Sequence, residues 1–319
     1  MVAAAASVWH AEGFRHLGMP YSDDDGFLAS TCRFVEDGLS DDEAVMVMLP
    51  REKQRQVKSA LAARARRVHF ADMQIEGRNP SLIISVWRDF VEHHTRRGRR
   101  VRGVGEPAWP GRRDEEYAEV ALHEALCTRA FAGGSSWALL CPYDTSRLPP
   151  DVQAAARAAH PEFWRRAAST CNPDYAGDGH ADALMSSELP RPRTAQIRLP
   201  AGDLVAMREV VVRVAVDAGL ATPVVEQLAL AAHEVAHNAL RHGELRPDAC
   251  AWIDVDRGAV MVEIGDRGQL ANPLAGRLRP GLTGGGGRGL WMANHLCDLV
   301  QIRNTSRGTV IRLICWLPD

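Results

Sequence analysis

Short apolar runs alternate with helical patterns along the first half of the chain. The apolar run at residues 44–49 ends at Pro50 and predicts a buried strand. Three further strands are expected in this half, at residues 68–70, 100–104 and 137–141. Helical periodicity fills the spaces around them, at residues 51–66, 81–97 and 114–131. Because alternating strands and helices form a mostly parallel sheet with helices on its faces, we expect a three-layer α/β domain over residues 1–165.

The pattern changes at residue 166, where periodicity is lost. Residues 166–194 are rich in turn residues and are predicted to link two domains. Regular patterns resume in residues 195–319, which predict a second domain of strands and helices. Its strands are expected at residues 197–199, 251–255, 260–265, 299–303 and 309–316, and its helices at residues 204–218, 223–242 and 289–296.

The bulk composition is that of a soluble two-domain protein. A chain of 319 residues is long for one hydrophobic core, and its 46% hydrophobic and 24% charged residues are ordinary values. The net charge of -2 gives no overall attraction to nucleic acid, and the basic run Arg96–Arg102 fits the end of a helix. The sequence has neither a membrane-length apolar window nor a secretion signal at its start. We therefore expect a cytoplasmic protein with neither a membrane nor a nucleic-acid partner.

The seven cysteines are scattered along the sequence and include no C-x-x-C pair. Such a set is typical of reduced cytosolic thiols, and a structural zinc site is not expected. Cys141 ends a predicted strand, where a buried thiol is a better interpretation than a redox sensor.

The stretch from Ala232 to Asn238 fits two different chemistries. His233 and His237 lie four residues apart with Glu234 between them, as in zinc proteases of the H-E-x-x-H type. In the neighbouring frame, Glu234 and Asn238 place a carboxylate and an amide one helical turn apart, which suits Mg²⁺ and a general base beside a phosphate chain. No third zinc ligand stands at a familiar spacing, because the metzincin positions 240 and 243 hold Leu and Gly.

A glycine-rich run downstream favours the nucleotide over the zinc interpretation. The run at residues 284–289 precedes a predicted helix, and backbone amides at a helix N-terminus bind anions. The candidate site combines Glu234 as base, Asn238 on Mg²⁺, His242 on the same helical stripe, Asp266, Gly268 and Thr309 near the base of a nucleotide, and Gly285, Gly287, Arg288 and Gly289 near its phosphates.

The order of these residues resembles the ATP-binding domain of the GHKL superfamily, the Bergerat fold. The resemblance covers residues 195–316 and rests on four boxes: Glu234-x-x-x-Asn238, Asp266-x-Gly268, Gly287-x-Gly289 and Gly308-Thr309. Within the superfamily, the chain looks most like the RsbW-like switch kinases, bacterial anti-sigma factors that double as serine kinases. The resemblance implies a two-layer α/β sandwich with a mixed sheet under helices, an ATP lid between Asp266 and Gly289, Asn238 on Mg²⁺, Glu234 as base and Asp266 on adenine.

The chain departs from the family pattern at Leu270, where the first glycine box usually has a second glycine. This departure bears on lid flexibility and on ATP turnover, but it does not by itself exclude ATP binding.

The first half resembles the MEDS sensory domain over residues 8–162. The resemblance rests on His10 and on residues 34–39, 77–80, 103–107, 123–125 and 141–144. That family is linked to regulators and to small-molecule sensing, so a small-molecule ligand of this domain is expected without being named. Glu106 and Asp144 follow predicted strands, where α/β sheets bind ligands. The candidate pocket residues are His10, Asp72, Glu106, His123, Glu124, Tyr143 and Asp144.

The two resemblances together predict a regulator in which the sensory domain controls an ATP-binding switch kinase that uses ATP and Mg²⁺. The expected partner is a sigma factor, which the kinase domain would sequester, or a STAS-type anti-sigma-factor antagonist, which it would phosphorylate, or both. A homodimer is a further possibility. The alternatives are a non-catalytic partner-switch module with a degenerate ATP site, an H-E-x-x-H zinc protease and a sensor histidine kinase. The last is disfavoured because residues 168–194 are turn-rich and too short for a dimerisation helix pair.

Overall fold

A computed structural model describes residues 13–165, 167–192, 197–200, 202–242, 247–281 and 287–318. The chain divides into two compact units, Met1–His180 and Ala181–Asp319. All seven cysteines are free. Within the described ranges, no helix has the length and apolar character needed to cross a membrane.

The first unit is built on one seven-stranded sheet. Its strands are β1 (Phe14–Tyr21), β2 (Ala44–Leu49), β3 (Val68–Asp72), β4 (Val101–Gly105), β5 (Trp137–Asp144), β6 (Glu162–Arg165) and β7 (Ala168–Cys171). The α-helices around it are α1 (Asp24–Ser40), α2 (Arg51–Leu61), α3 (Met73–Glu76), α4 (Ile83–Thr95), α5 (Asp114–Phe131) and α6 (Pro150–Ala159). The strand order is β3-β2-β4-β5-β1-β6-β7, and only the β6–β7 pair is antiparallel among the described pairings.

Helices cover both faces of this sheet, as two adjacent residues of β4 illustrate. A Cβ at Gly103 would lie 2.7 Å from the ring of Trp87, so the missing side chain lets α4 pack directly on the strand. Arg102 points to the opposite face, because successive strand residues alternate. There its guanidinium is buried against α1 and donates to Glu43 at 2.6 Å. The three-layer α/β fold with a mostly parallel sheet is therefore confirmed.

One interior strand of this sheet, β1, was not among the predicted elements. It contains Arg15, His16, Gly18 and Pro20, which are not typical of a buried strand. Its position between β5 and β6 nevertheless buries most of its residues, and the Arg15 guanidinium pairs with Glu162 of β6. The helix α1, which follows β1, was likewise not predicted as an element.

The segment predicted as a linker, residues 166–194, contains regular elements. β7 pairs with β6, and the short helix α7 spans His180–Met185. The buried amide of Asn172 donates to the carbonyl oxygens of Arg157 and His160, each at 2.7 Å, which holds the chain after β7 against the end of α6. Turn residues therefore join packed elements here rather than an extended connector.

The second unit is a five-stranded sheet with helices. Its strands are β8 (Ile197–Arg198), β9 (Asp248–Asp254), β10 (Ala259–Asp266), β11 (Leu299–Thr305) and β12 (Gly308–Trp316), and its further helices are α8 (Leu204–Asp217), α9 (Thr222–His242) and α10 (Arg288–Leu296). The strand order is β11-β12-β10-β9-β8. Every described pair is antiparallel, so the expected mixed sheet is wrong. Tight hairpins join β9 to β10 and β11 to β12, which forces these pairs to run in opposite directions.

The helices of the second unit pack on one face of this sheet. The alternating residues Val260, Val262 and Ile264 of β10 belong to one buried cluster with Leu228 and Val235 of α9. On the opposite face, the buried Glu263 accepts a hydrogen bond from Arg312 at 2.7 Å and also pairs with Arg191. The predicted two-layer sandwich of helices on a sheet is therefore confirmed.

We expect the substitution Gly308→Ala to destabilise the second unit by at least about 2 kcal/mol. Gly308 has a φ of +125°, and a Cβ there would lie 1.9 Å from the carbonyl oxygen of Asp266, so backbone must move. Gly258→Ala is the matched control, because Gly258 has a φ of +61° and no atom within 4 Å of its Cβ position. It should lose only about 1 kcal/mol. Urea unfolding of both variants measures the difference, and equal midpoints would contradict the expectation.

Candidate functional site

The helix α9 places Glu234 and Asn238 beside the hydrophobic core. Leu228, Ala232 and Val235 form its buried stripe against the sheet. Glu234 and Asn238 lie one turn apart on the edge of that stripe and are half-buried. Within the described residues, neither side chain has a hydrogen-bond partner, so both polar groups are available to a ligand.

The start of α10 lies against these two side chains. A Cβ at Gly289 would be 2.5 Å from Asn238 Nδ2 and 3.3 Å from Glu234 Oε2. Glycine is therefore the residue that permits this close approach. The first backbone N–H groups of a helix have no partner within the helix and carry partial positive charge, so the N-terminus of α10 can attract an anion. The fold thus brings a carboxylate, an amide and an anion-binding helix end together from two distant parts of the sequence.

A cavity of about 220 Å³ opens beside this contact, between α9, β10, β12 and the start of α10. It is lined by five residues that the sequence predicted for the site, Asn238, Asp266, Gly268, Gly287 and Thr309. Apolar side chains complete the lining, including those of Val235, Ile264, Leu270 and Ile311. An apolar slot with a few polar groups at its rim is the usual form of a site for a planar ring.

The remaining predicted residues have different positions. Glu234 and Gly289 lie beside the cavity, where Gly289 is in contact with Asn238. Arg288 is the exposed first residue of α10, and Gly287, with a φ of 87°, forms its N-cap. His242 is the last residue of α9, but its side chain is outside the described atoms, and Gly285 lies outside the described residues.

The chain after Asp266 is held by a compact hydrogen-bond network. The Asp266 carboxylate accepts from the Gly268 N–H at 2.6 Å. The Thr309 hydroxyl accepts from the Leu270 N–H at 3.0 Å and lies 2.8 Å from the Gly268 carbonyl oxygen. Asn304 strengthens the network, since its amide donates to the Leu270 carbonyl at 2.8 Å. Thr309 therefore lines the cavity and also fixes the loop that forms the cavity rim.

A second set of hydrogen bonds, made by Asn294, also holds the chain near the cavity, and the sequence did not predict it. This fully buried side chain on α10 donates to the Gly276 carbonyl at 3.0 Å and to the Leu290 carbonyl at 3.1 Å. Gly276 has a φ of +75°, and a Cβ there would lie 2.8 Å from Leu290 Cβ. The exposed Arg241 was also missed, although it lines the cavity. The only signal for Asn294 in the sequence is an asparagine at a position that the amphipathic pattern of the helix predicts to be buried.

The two histidines of the H-E-x-x-H pattern, His233 and His237, are half-buried and stacked with ring centroids 6.4 Å apart. No third histidine, cysteine, aspartate or glutamate in the described part of the chain gathers with them into a potential metal site. A zinc protease needs three protein ligands at its metal. The arrangement therefore gives the zinc-protease interpretation no support.

Comparison with known families agrees with this geometry. Residues 15–161 match the family model described as the MEthanogen/methylotroph, DcmR Sensory domain, MEDS. Residues 198–315 match the family model of the histidine kinase-like ATPase domain. The chain joins a MEDS domain to a histidine kinase-like ATPase domain. No curated protein matches it. The ATPase domain implies ATP binding, typically with Mg²⁺, and the pairing is consistent with a regulatory, kinase-like protein.

The MEDS domain contains a buried charged cluster at the carboxyl ends of its central strands. Glu106 follows β4, accepts from the Tyr21 hydroxyl at 2.6 Å and pairs with Lys53 of α2. Burial raises the pKa of Glu106, and the Lys53 ammonium opposes that shift. Asp144 ends β5 nearby in the sheet and instead binds Arg147 at 2.6 Å.

A second buried cluster in the MEDS domain surrounds Glu124 of α5. Its carboxylate lies 2.9 Å from His16 Nε2 and 3.4 Å from His160 Nε2, and Cys141 Sγ lies 3.4 Å from His16 Nε2. Burial and the neighbouring His160 lower the pKa of His16 to about 4, so this ring is neutral at pH 7. Burial also raises the pKa of Cys141 well above its usual range, which makes it a protonated thiol.

The residues predicted for a MEDS ligand pocket therefore do not line a single cavity. Glu106 and Glu124 belong to separate clusters, Asp72 caps α3, and His10 lies outside the described residues. The sequence reasoning missed the partners of the two glutamates, because each partner comes from a different element: Tyr21, Lys53, His16 and His160.

We expect the substitution Gly289→Ala to weaken Mg²⁺-dependent ATP binding by at least about tenfold while leaving the fold intact. The new methyl group would meet the mobile end of Asn238, 2.5 Å away, and displace its amide rather than the backbone. Gly281→Ala is the control, since no atom lies within 4 Å of a Cβ at Gly281. Calorimetric titration with ATP, together with urea midpoints, tests this; unchanged affinity in Gly289→Ala would refute the role of the contact.

Proposed function

We propose that the ATPase domain binds Mg²⁺-ATP in the cavity beside α9 and acts as a regulatory switch kinase under the control of the MEDS domain. The observation that supports this most is the convergence of Glu234, Asn238 and Gly289, which lie more than fifty positions apart in sequence at their extremes. They meet beside the cavity that Asp266 also lines. This is the arrangement that one triphosphate nucleotide needs along its length.

The donor set fits a magnesium ion held between protein and phosphate. Asn238 offers an amide oxygen that has no hydrogen-bond partner within the described residues, and Mg²⁺ binds through few protein oxygens together with phosphates and water. The glycine at position 289 leaves no side chain between Asn238 and the start of α10. When bound, the ion would neutralise charge on the phosphates. The α10 N-terminus would hold the phosphate oxygens through its N–H groups.

Glu234 is the group that we assign to proton transfer. Its carboxylate is half-buried and lies at the same edge as Asn238. A serine or threonine hydroxyl of a protein substrate would lose its proton to Glu234 as its oxygen attacks the terminal phosphorus. The bond to the bridging oxygen then breaks, ADP leaves, and the products are a phosphorylated substrate and a protonated glutamate.

The partners that we propose are a sigma factor, which the ATPase domain would sequester, and a STAS-type anti-sigma-factor antagonist, which it would phosphorylate. The support for them is the resemblance of the four boxes to the RsbW-like switch kinases. A sensory domain on the same chain would then set the balance between the two partners. Such a switch requires only that a partner binds two conformational states of the protein with different affinities.

A non-catalytic partner switch is the second candidate, and Leu270 favours it. Leu270 stands where the family has a flexible glycine, and its backbone N–H and carbonyl are bound by Thr309 and Asn304. A rim fixed in this way would slow nucleotide exchange and turnover without closing the cavity. ATP would then have a structural role, and signalling would depend on domain docking.

A sensor histidine kinase has weaker support. Such a protein needs a pair of dimerisation helices with a phospho-accepting histidine before its ATPase domain. Of the described residues between β6 and β8, only those of α7 form a helix, and α7 has 6 residues. This segment is too short for a stable helix pair.

The first test of the proposed nucleotide site is the substitution Asn238→Ala. We expect ATP binding by the wild-type chain to require Mg²⁺ and the variant to bind at least about tenfold more weakly, because a ligand of the ion is lost. His237→Ala is the matched control on the same helix, since it removes the zinc-protease pattern without touching Asn238, and its affinity should be unchanged. Calorimetry with and without Mg²⁺ measures all three proteins. If the wild-type chain binds no ATP, the proposed nucleotide site is wrong.

The substitution Glu234→Gln separates catalysis from binding. With labelled ATP and a panel of STAS-type antagonists, we expect the wild-type chain to transfer phosphate to one of them. Glu234→Gln should bind ATP normally and transfer phosphate at least about a hundredfold more slowly, because its amide accepts no proton.

Pull-downs against sigma factors test the second partner. An antagonist that binds without phosphate transfer by the wild-type chain would favour the non-catalytic switch, and the absence of any partner in both panels would overturn the proposal.

A further inference from the structure

Four potential metal ligands meet in the core of the MEDS domain. His16 lies on β1, Glu124 on α5, Cys141 on β5, and His160 directly after α6. One donor atom from each of these residues lies within 4.8 Å of the other three. All four side chains are at least nine-tenths buried. Charged and polar groups are rarely buried together unless they are paired or coordinate a metal.

The separations between the donors fit a tetrahedral site. Ligand bonds to zinc of ordinary length put two nitrogen or oxygen ligands about 3.3 Å apart, and a nitrogen and a sulfur ligand about 3.6 Å apart. The His160–Glu124 and His16–Cys141 separations are both 3.4 Å, and His16 lies 2.9 Å from Glu124. Small movements of side chains would therefore admit an ion, with no change of the backbone.

The ring of His160 is already oriented as a ligand. Its Nδ1 lies 2.6 Å from the Ala156 carbonyl oxygen, which makes Nδ1 the protonated nitrogen. Nε2 faces the Glu124 carboxylate at 3.4 Å and makes no well-formed hydrogen bond among the described residues. A backbone bond that fixes the tautomer is the usual support of a metal-bound histidine. Because His160 is 1% exposed, bulk solvent offers Nε2 no alternative partner.

The sheet is shaped to let the four residues meet. The parallel register sets Gly18 of β1 opposite Cys141 of β5, and His16 lies two residues earlier on the same face. A Cβ at Gly18 would be 3.0 Å from the ring of His160, so glycine allows that ring to lie over the strand. A void of about 20 Å³, lined in part by Glu124, Cys141 and His160, adjoins the cluster and has room for one water.

We propose that His16, Glu124, Cys141 and His160 form a binding site for one divalent transition-metal ion of the zinc class. Two imidazoles, a thiolate and a carboxylate are all zinc ligands, and the thiolate disfavours Mg²⁺ and Ca²⁺. On binding, the ion displaces the proton of the Cys141 thiol to solvent, and the ring proton of His16 moves from Nε2 to Nδ1 so that Nε2 can bind the ion. The adjoining void gives a water-sized molecule access to the metal, which places the site where a sensory domain would detect a small ligand.

Metal content of the full-length chain provides the first test. The protein is purified without chelator, stripped, and titrated with Zn²⁺ against a chromophoric competitor. We expect one tightly held ion per chain, and a near-ultraviolet thiolate-to-cobalt band when Co²⁺ replaces Zn²⁺. A wild-type chain that binds no ion in competition with the chromophore would overturn the proposal.

Substitutions then locate the ion. Cys141→Ser should abolish the cobalt band, and His160→Gln should weaken Zn²⁺ binding by at least about tenfold. Cys32→Ser is the matched control, because Cys32 is a half-buried thiol on α1 outside the cluster, and it should keep both the band and the affinity. Far-UV circular dichroism selects variants that remain folded. If folded Cys141→Ser retains the cobalt band, the ion lies elsewhere and the assignment fails. The double substitution His233→Ala and His237→Ala checks the ATPase domain and should leave Zn²⁺ binding unchanged.

Discussion

The close contact between α9 and α10 is the constraint on which the candidate nucleotide site depends. A residue larger than glycine at position 289 would push into the amide of Asn238, 2.5 Å from its Cβ position. Because the apolar stripe of α9 is locked against the sheet, the polar edge of that helix has one orientation only. The start of α10 therefore meets Glu234 and Asn238 with the positive end of its dipole, and the candidate site for a phosphate chain and its counter-ion depends on this packing.

Two sets of hydrogen bonds hold the chain at the rim of the same cavity, and each set includes a backbone group. Thr309 and Asn304 hold Leu270, and Asn294 holds Gly276 against α10. These bonds fix the backbone near the cavity, and they depend on the side chains of Thr309, Asn304 and Asn294. The leucine at position 270 is thus one part of a broader restraint on the chain beside the cavity.

The MEDS domain differs from the ATPase domain because clusters of polar groups lie inside its core. Lys53 and Tyr21 bind one carboxylate oxygen of Glu106, and the other oxygen has no hydrogen-bond partner among the described residues. In the cluster around Glu124, Nε2 of His160 likewise makes no well-formed hydrogen bond among the described residues. Burial of incompletely paired groups is costly, and a bound ion would remove that cost. The two domains would then use metals in different ways, a hard ion with phosphate in one and a softer ion held by protein in the other.

The sequence alone determined most elements of the second unit and the order of its nucleotide boxes, because local periodicity and glycine positions are properties of neighbouring residues. β10 and β12, for example, lie almost where their apolar patterns predict them. The tertiary structure decided what depends on distant contacts: the antiparallel sheet, the burial of β1 despite its Arg, His and Pro, and the packed elements in the predicted linker. It also brought His16, Glu124, Cys141 and His160 together from four elements. No spacing rule signals such a cluster, since ligands that are distant in sequence become neighbours only through strand register and helix packing.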